Sequence, residues 1–274
     1  VILHQESSIK RRPKKGNQMT TATDSKNADK QNQEDILLAK VAEGKVILRQ
    51  LVDAGVHFGH PTKDWNPKMK EYIYDSIDGV HVINLAKTVE NMMNTAEFLK
   101  KQGRLNRNIL YVGTSKQTSS IVKQEAERAN VFFINQRWLG GLITNFDTIR
   151  SRLNKLRELE GAKETGAFSN LGKKEISRLN RQITKLNKSL GGLKKMRGRP
   201  EVLVIFDQNK DAIAVTEGKK VNATIITISD TDCDPTKSDF VIPANNDSMR
   251  SIAIIAKYFT DAIIEGQNAS NKKR

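Results

Sequence analysis

Most of the chain alternates between two kinds of apolar block. Ile109 to Val112, Val131 to Ile134, Val202 to Phe206, Thr224 to Ile228 and Phe240 to Ile242 are short, continuous and rich in branched residues. Such blocks predict buried strands. Between them the period lengthens. Leu85, Val89, Met92, Met93, Ala96 and Leu99 mark one helix within 84–102, and Ile121, Val122 and Ala126 to Ala129 mark a second. A short helix is predicted from Ala212 to Lys220, and Met249, Ile252, Ala256, Phe259 and Ile263 give a closing one. Strands alternating with helices predict a parallel sheet with crossover connections. Upstream, Val46, Leu48, Leu51, Val52 and Val56 mark an amphipathic helix ending near Gly55, and Tyr72 to Tyr74 and Val80 to Ile83 predict two short strands about Asp78-Gly79. The tail after Gly266 is predicted to be loose.

One stretch breaks the alternation. Phe146, Ile149, Leu153, Leu156 and Leu159 form one helical stripe, and Ile176, Leu179, Ile183, Leu186, Leu190 and Leu193 form a second in steps of 3 and 4. Each stripe is narrow, so the two helices are expected to fold back on each other as an antiparallel hairpin, a short coiled coil. At 1.5 Å per residue it would project roughly 25 to 30 Å.

Charge singles out the same stretch. From Asp147 to Arg199 there are 15 Lys and Arg against 5 Asp and Glu, so +10 of the chain's net +15 is concentrated there. A solvated helical surface usually mixes the two signs. Arg150, Arg152, Lys173, Lys174, Arg178, Arg181, Lys185, Lys188, Lys194, Lys195, Arg197 and Arg199 therefore point to a polyanionic partner, with nucleic acid ahead of a membrane. At 274 residues and 37% hydrophobic content the chain can bury one substantial core with an appendage. The boundaries read as a disordered extension over 1–45, a discontinuous α/β core at 46–145 and 200–266, the hairpin at 146–199 and a loose tail at 267–274. Lys10, Arg11, Arg12, Lys14 and Lys15 make the extension basic, but Glu6, Asp24, Asp29, Glu34 and Asp35 fit a transit peptide poorly. No apolar run approaches the length of a membrane span. The one cysteine, Cys233, rules out an internal disulfide and fits a reducing compartment.

Several motifs invite chemistry. His57 to Pro61 and Trp65 to Met69 read as a shaped loop. Its His57 and His60 could join Cys233 around zinc, but no second ligand pair supports this and packed loop histidines are the commoner case. Trp65, flanked by Lys63 and Lys68, could stack on a base or anchor its loop to the core. Gly113 to Lys116 follows a strand and opens a helix, yet the spacing matches neither phosphate-binding fingerprint. Arg137 and Trp138 precede the basic stretch and either extend its contact surface or brace its base, and Gly140-Gly141 reads as structural. Asp230, Asp232 and Asp234 begin like a calcium loop, but Pro235 and Val241 occupy the positions that need Gly and Glu.

Taken together, several of these segments resemble a known family. Val56-His57-Phe58-Gly59-His60 with Trp65-Asn66-Pro67-Lys68-Met69, Trp138 to Gly141 with Thr144-Asn145, Gly191-Gly192 to Pro200, Asp234-Pro235 and Ile242 to Asn245 resemble, in order, the motifs of the bacterial-type small-subunit ribosomal protein S2 family. The likeness covers about Val46 to Gly266. It implies a flavodoxin-like parallel sheet flanked by helices, with a protruding helical hairpin bound to small-subunit ribosomal RNA. It also implies a structural role beside neighbouring ribosomal proteins, including the large mRNA-binding protein S1, with no cofactor beyond the Mg²⁺ that accompanies rRNA. The form Thr231-Asp232-Cys233-Asp234-Pro235 looks most like cyanobacterial and plastid members, which implies the chloroplast stroma, with bacterial cytoplasm as the alternative.

Two other functional classes remain open on the residues alone. The α/β scaffold hosts many enzymes, so a nucleotide-binding or RNA-modifying enzyme is one alternative. Asp207 and Ser229 to Asp234 are its candidate groups, although no His or Lys accompanies them in a recognisable motif. A coiled-coil adaptor that binds only protein is the other, and the +10 stretch weighs against it.

Overall fold

The computed structural model describes residues 47–169 and 171–271. The extension expected over 1–45 therefore lies outside the described residues. A helix at 47–53 (α1) leads into strand β1 (Phe58–Pro61) and, through a 3-10 turn at Pro67–Tyr72, into β2 (Ile73–Ile77) and β3 (Val80–Ile83). These three strands form a small antiparallel sheet in the order β1-β3-β2. Part of the segment expected to be a shaped loop is thus a strand. Its pairing with β3, from Phe58 opposite Val82 to Pro61 opposite Val80, supplies an order that the Pro- and Gly-rich sequence does not announce.

The main sheet is built as the alternation predicts. Helix α2 (Leu85–Arg104), β4 (Ile109–Val112), α3 (Ser119–Arg128), β5 (Phe132–Ile134), α4 (Phe146–Glu164), α5 (Lys173–Leu190), β6 (Val202–Ile205), α6 (Ala212–Lys220), β7 (Thr224–Ser229), β8 (Phe240–Pro243) and α7 (Met249–Asn271) come next along the chain. The five strands β4 to β8 are parallel, in the order β5-β4-β6-β7-β8. Renumbered from β4, that order is 2-1-3-4-5, the flavodoxin-like arrangement. Alternate residues of each strand serve opposite cores. Ile109, Tyr111, Val202, Val204, Ile226 and Ile228 pack under α2, α3 and α7. Leu110, Val112, Leu203, Ile205 and Ile225 pack with Trp138, Leu142, Phe146, Ile149, Leu153, Leu190 and Leu193. The lower turns of α4 and the end of α5 are therefore part of the sheet's own core.

Two details fix the frame. Leaving α2, α3 and α6, the chain turns through Asn106, Asn130 and Asn222, each at φ near +50°. Asparagine tolerates this left-handed helix exit and frees the chain to enter the next strand. Across α2 and α7, backbone meets backbone: a Cβ on Gly266 would overlap the Lys100 carbonyl, and one on Gly103 would overlap the Ile263 carbonyl. α7 also runs to Asn271, so residues 267–271 of the expected loose tail are helix, and the rest of that tail lies outside the described residues. Gly266→Ala is expected to lower unfolding stability by about 2 kcal/mol through overpacking. The denaturant midpoint measures this, and an unmoved midpoint would show that the helices can part at no cost.

Candidate nucleic-acid interface

The α5 sequence puts its two chemistries on opposite sides. Ile176, Leu179, Ile183, Leu186 and Leu190 lie along one stripe, and Lys174, Arg178, Arg181, Lys185 and Lys188 along another, offset by two residues and so on the opposite face. All five of those cations are exposed, as is Lys173. None forms an ion pair among the described residues. The helix holds a single acid, Glu175 in its first turn, where the macrodipole favours it. Spaced about 5 Å apart along the axis, the five cations make an uncompensated positive edge.

On the apolar side, α4 and α5 run antiparallel near the sheet. Asn187 donates to Glu160 at 2.6 Å, and Arg157 reaches the Lys194 carbonyl. Lys194 Nζ also contacts Glu160 at 2.7 Å, so this predicted RNA ligand is committed to an internal ion pair. Ile183 and Leu190 are buried, but Ile176 and Leu179 are only half-buried. Complete closure of the two stripes is not achieved. The α4 stripe ends at Leu159 and continues as Gly161, Ala162, Lys163 and Glu164, which leaves the outer half of α5 without an apolar face to pack on.

Other expected contact residues separate into two groups. Lys63, Arg137, Arg152, Lys195, Arg197 and Arg199 are exposed. Arg150 is also exposed but lies over the Phe146 ring and 3.6 Å from Asp147. Lys68 hydrogen-bonds Asp234 at 2.9 Å, and this bond holds the Asp234 carboxyl down to about 2. Trp65 is half-buried against His81, with ring centroids 5.2 Å apart. Trp138 needs correction. It is 6% exposed, packs in the core and donates its indole N–H to Glu217 at 3.0 Å, so it braces the insert and offers no face to a base.

Glu217 is the residue that sequence reasoning missed. It is buried on α6 and accepts from Trp138 Nε1, the amides of Gly141, Ile143 and Thr144, and the Thr144 hydroxyl, all within 2.8 to 3.2 Å. Burial acts to raise its pKa, but these donors outweigh burial and hold it below the ordinary glutamate value. One carboxylate thereby fixes the loop that launches α4. Gly141 reaches it at φ +81°, which accounts for the second glycine of the pair.

The C-terminal edge of the sheet has the opposite character. In this topology ligands bind where the strand order reverses, here between β4 and β6. That turn is filled from within: the Asp211 carboxylate accepts from the Thr114 amide at 3.2 Å and the Thr114 hydroxyl at 2.8 Å. Burial, partly offset by those bonds, pushes the Asp211 carboxyl up to about 6. Nearby, His60 Nδ1 lies 3.1 Å from Asp230, and its Nε2 lies 3.9 Å from Asp232 and 3.8 Å from Asp247. The Asp230 hydrogen bond, against desolvation, raises His60 to about 9, so the imidazole is a cation at neutral pH. His60, Asp230 and Asp232 offer three ligand atoms within 4.8 Å of one another, whereas His57 and Cys233 are not in that set. Cys233 instead donates to Asp232, and burial pushes its thiol far up. Burial first, and then repulsion from Asp232 and Asp247, raises the Asp207 carboxyl, so acids gather at this edge.

A family model, ribosomal protein S2, matches residues 51–266. The chain belongs to the ribosomal protein S2 family. The S2 family is one of structural small-subunit ribosomal proteins, not of enzymes, and membership places this chain in translation and in association with the ribosome. No helix among the described residues is long and apolar enough to cross a membrane.

Proposed function

We propose that this S2 family member binds small-subunit rRNA through the cationic face of α5 and serves as a non-catalytic part of the subunit. The observation that carries this reading is the run of exposed, unpaired cations opposite the apolar stripe. Exposed Arg152, Lys195, Arg197 and Arg199 widen the surface, and Glu217 sets the angle at which the insert leaves the sheet. The self-filled turn at Thr114 and the acidic sheet edge favour this reading over a nucleotide-binding enzyme. By resemblance, the neighbours include other small-subunit proteins and S1, and the Thr231 to Pro235 form supports a plastid ribosome, with a bacterial one as the alternative. The helical insert is then a short coiled-coil clamp whose outer half is closed by its RNA partner.

Counterion release provides the test. If Lys174, Arg178, Arg181, Lys185 and Lys188 each neutralise a phosphate of duplex rRNA, the slope of log K against log salt is about −4.5. Affinity then falls roughly 500-fold between 50 and 200 mM salt. Filter binding with a small-subunit rRNA transcript measures the slope, and a flat response would favour the protein-only adaptor.

A further inference from the structure

Two adjoining clefts lie where the insert returns to the sheet, beside edge strand β5. One has a volume of about 420 Å³ and the other about 290 Å³. Both are lined by Phe133, Glu127 and the turn at Gly191-Gly192, so the contact of Gly192 with Phe133 forms the waist between them. Resting on the RNA-binding reading of α5, we infer that these clefts receive two successive unstacked nucleotides of a single-stranded RNA segment.

The rim is cationic. Lys188 at the first cleft and Lys195 at the second are exposed and form no ion pair among the described residues, whereas Lys123 lies 4.0 Å from Glu127 and Lys194, which borders both clefts, is held by Glu160. Lys188 belongs to the α5 stripe as well as to the first cleft, so a backbone tracking that stripe arrives at the opening. At the first cleft the exposed Gln136 side chain provides an amide donor and acceptor of the kind that read base edges, whereas the Asn135 amide nitrogen already donates to the Ser119 carbonyl at 3.2 Å. The sizes suit the guest, since clefts of roughly 300 Å³ and more hold small ligands. A protein strand is the competing occupant for an open sheet edge. Here Gly192 closes off that route: it packs so tightly on the Phe133 carbonyl and ring that even a Cβ would overlap them, and no added strand could pair through that carbonyl. Shape and charge therefore both select RNA, and single-stranded RNA, because a stacked duplex cannot place bases on either side of a waist.

The test uses the full chain and a small-subunit rRNA transcript containing 4-thiouridine, irradiated and mapped for cross-linked peptides. Cross-links are expected at 132–136 and 191–195 as well as on α5. The double variant Lys123→Glu, Gln136→Glu lies outside α4 and α5. It is expected to lose the cleft cross-links, keep those on α5 and bind roughly tenfold more weakly, with an unchanged melting curve. Cross-links confined to α4 and α5, with affinity unaltered in the double variant, would overturn the cleft assignment and leave the α5 reading intact. Absence of RNA cross-links from α5 as well would instead defeat the α5 reading itself. Displacement of the cleft cross-links by a duplex competitor as readily as by a single-stranded one would also overturn the assignment.

Discussion

Reversing the charge at Lys174, Arg178, Arg181 and Lys185 to Glu is expected to weaken binding to small-subunit rRNA by roughly a thousandfold at low salt. It should also keep the protein out of assembled subunits while leaving its thermal midpoint in place. Loss of binding stems from the proposed contacts, since four attractions to phosphate become four repulsions on one face. Retention of stability stems from the surroundings. All four side chains are exposed, and their only hydrogen bond among the described residues is from Arg181 to Ser177, at 3.3 Å. Substitutions at such positions usually shift stability by no more than about 0.5 kcal/mol each. Filter binding and a melting curve on the same preparation separate the two effects. Intact RNA affinity combined with failed incorporation would point to a protein neighbour as the true contact of α5.

Glu217→Ala should act in the opposite sense, unfolding the protein without touching the cationic face. Five donors lose their shared acceptor, four of them on the Trp138 to Thr144 segment's backbone and indole and one on the Thr144 hydroxyl. Leaving buried donors unmatched costs about 3 kcal/mol or more in total. Glu217→Gln retains the shape and one acceptor oxygen, so its loss should be smaller. The pH dependence comes from the depressed pKa of this carboxyl. Its contribution is present above the unfolded glutamate value of about 4.5 and is lost as pH falls through the lower folded value. Denaturant titrations of the two variants at pH 7 and pH 4 measure this, and equal stability of Glu217→Ala and the parent at pH 7 would remove Glu217 from its proposed role.

Legibility in the chain differs by element. The blocks at Ile109, Val202 and Thr224 are continuous because both faces of their strands are buried, so apolar content alone marks them. Strand β1 carries no such mark: Phe58 is exposed, and the strand exists because β3 pairs with it. The cationic edge of α5 is legible because charge and period coincide in one helix. Trp138 misleads because an aromatic beside a basic run looks the same in sequence whether it stacks on a base or fills a core. Glu217 is invisible for a related reason: on α6 it reads as an ordinary surface acid until the loop before α4 folds over it. Asparagine after each of α2, α3 and α6 is a usable signal for helix exit that the apolar pattern overlooks.

The Asp211 carboxylate begins α6 yet makes no capping bond there, crossing instead to the turn after β4. A backbone amide that a cofactor would satisfy in other proteins of this topology has a resident partner here. The turn after β4 is consequently tied to the start of α6 by the chain's own carboxylate. Evolution of recognition on such a platform can proceed by lengthening and recharging whatever is mounted on it, while the mount itself stays unchanged.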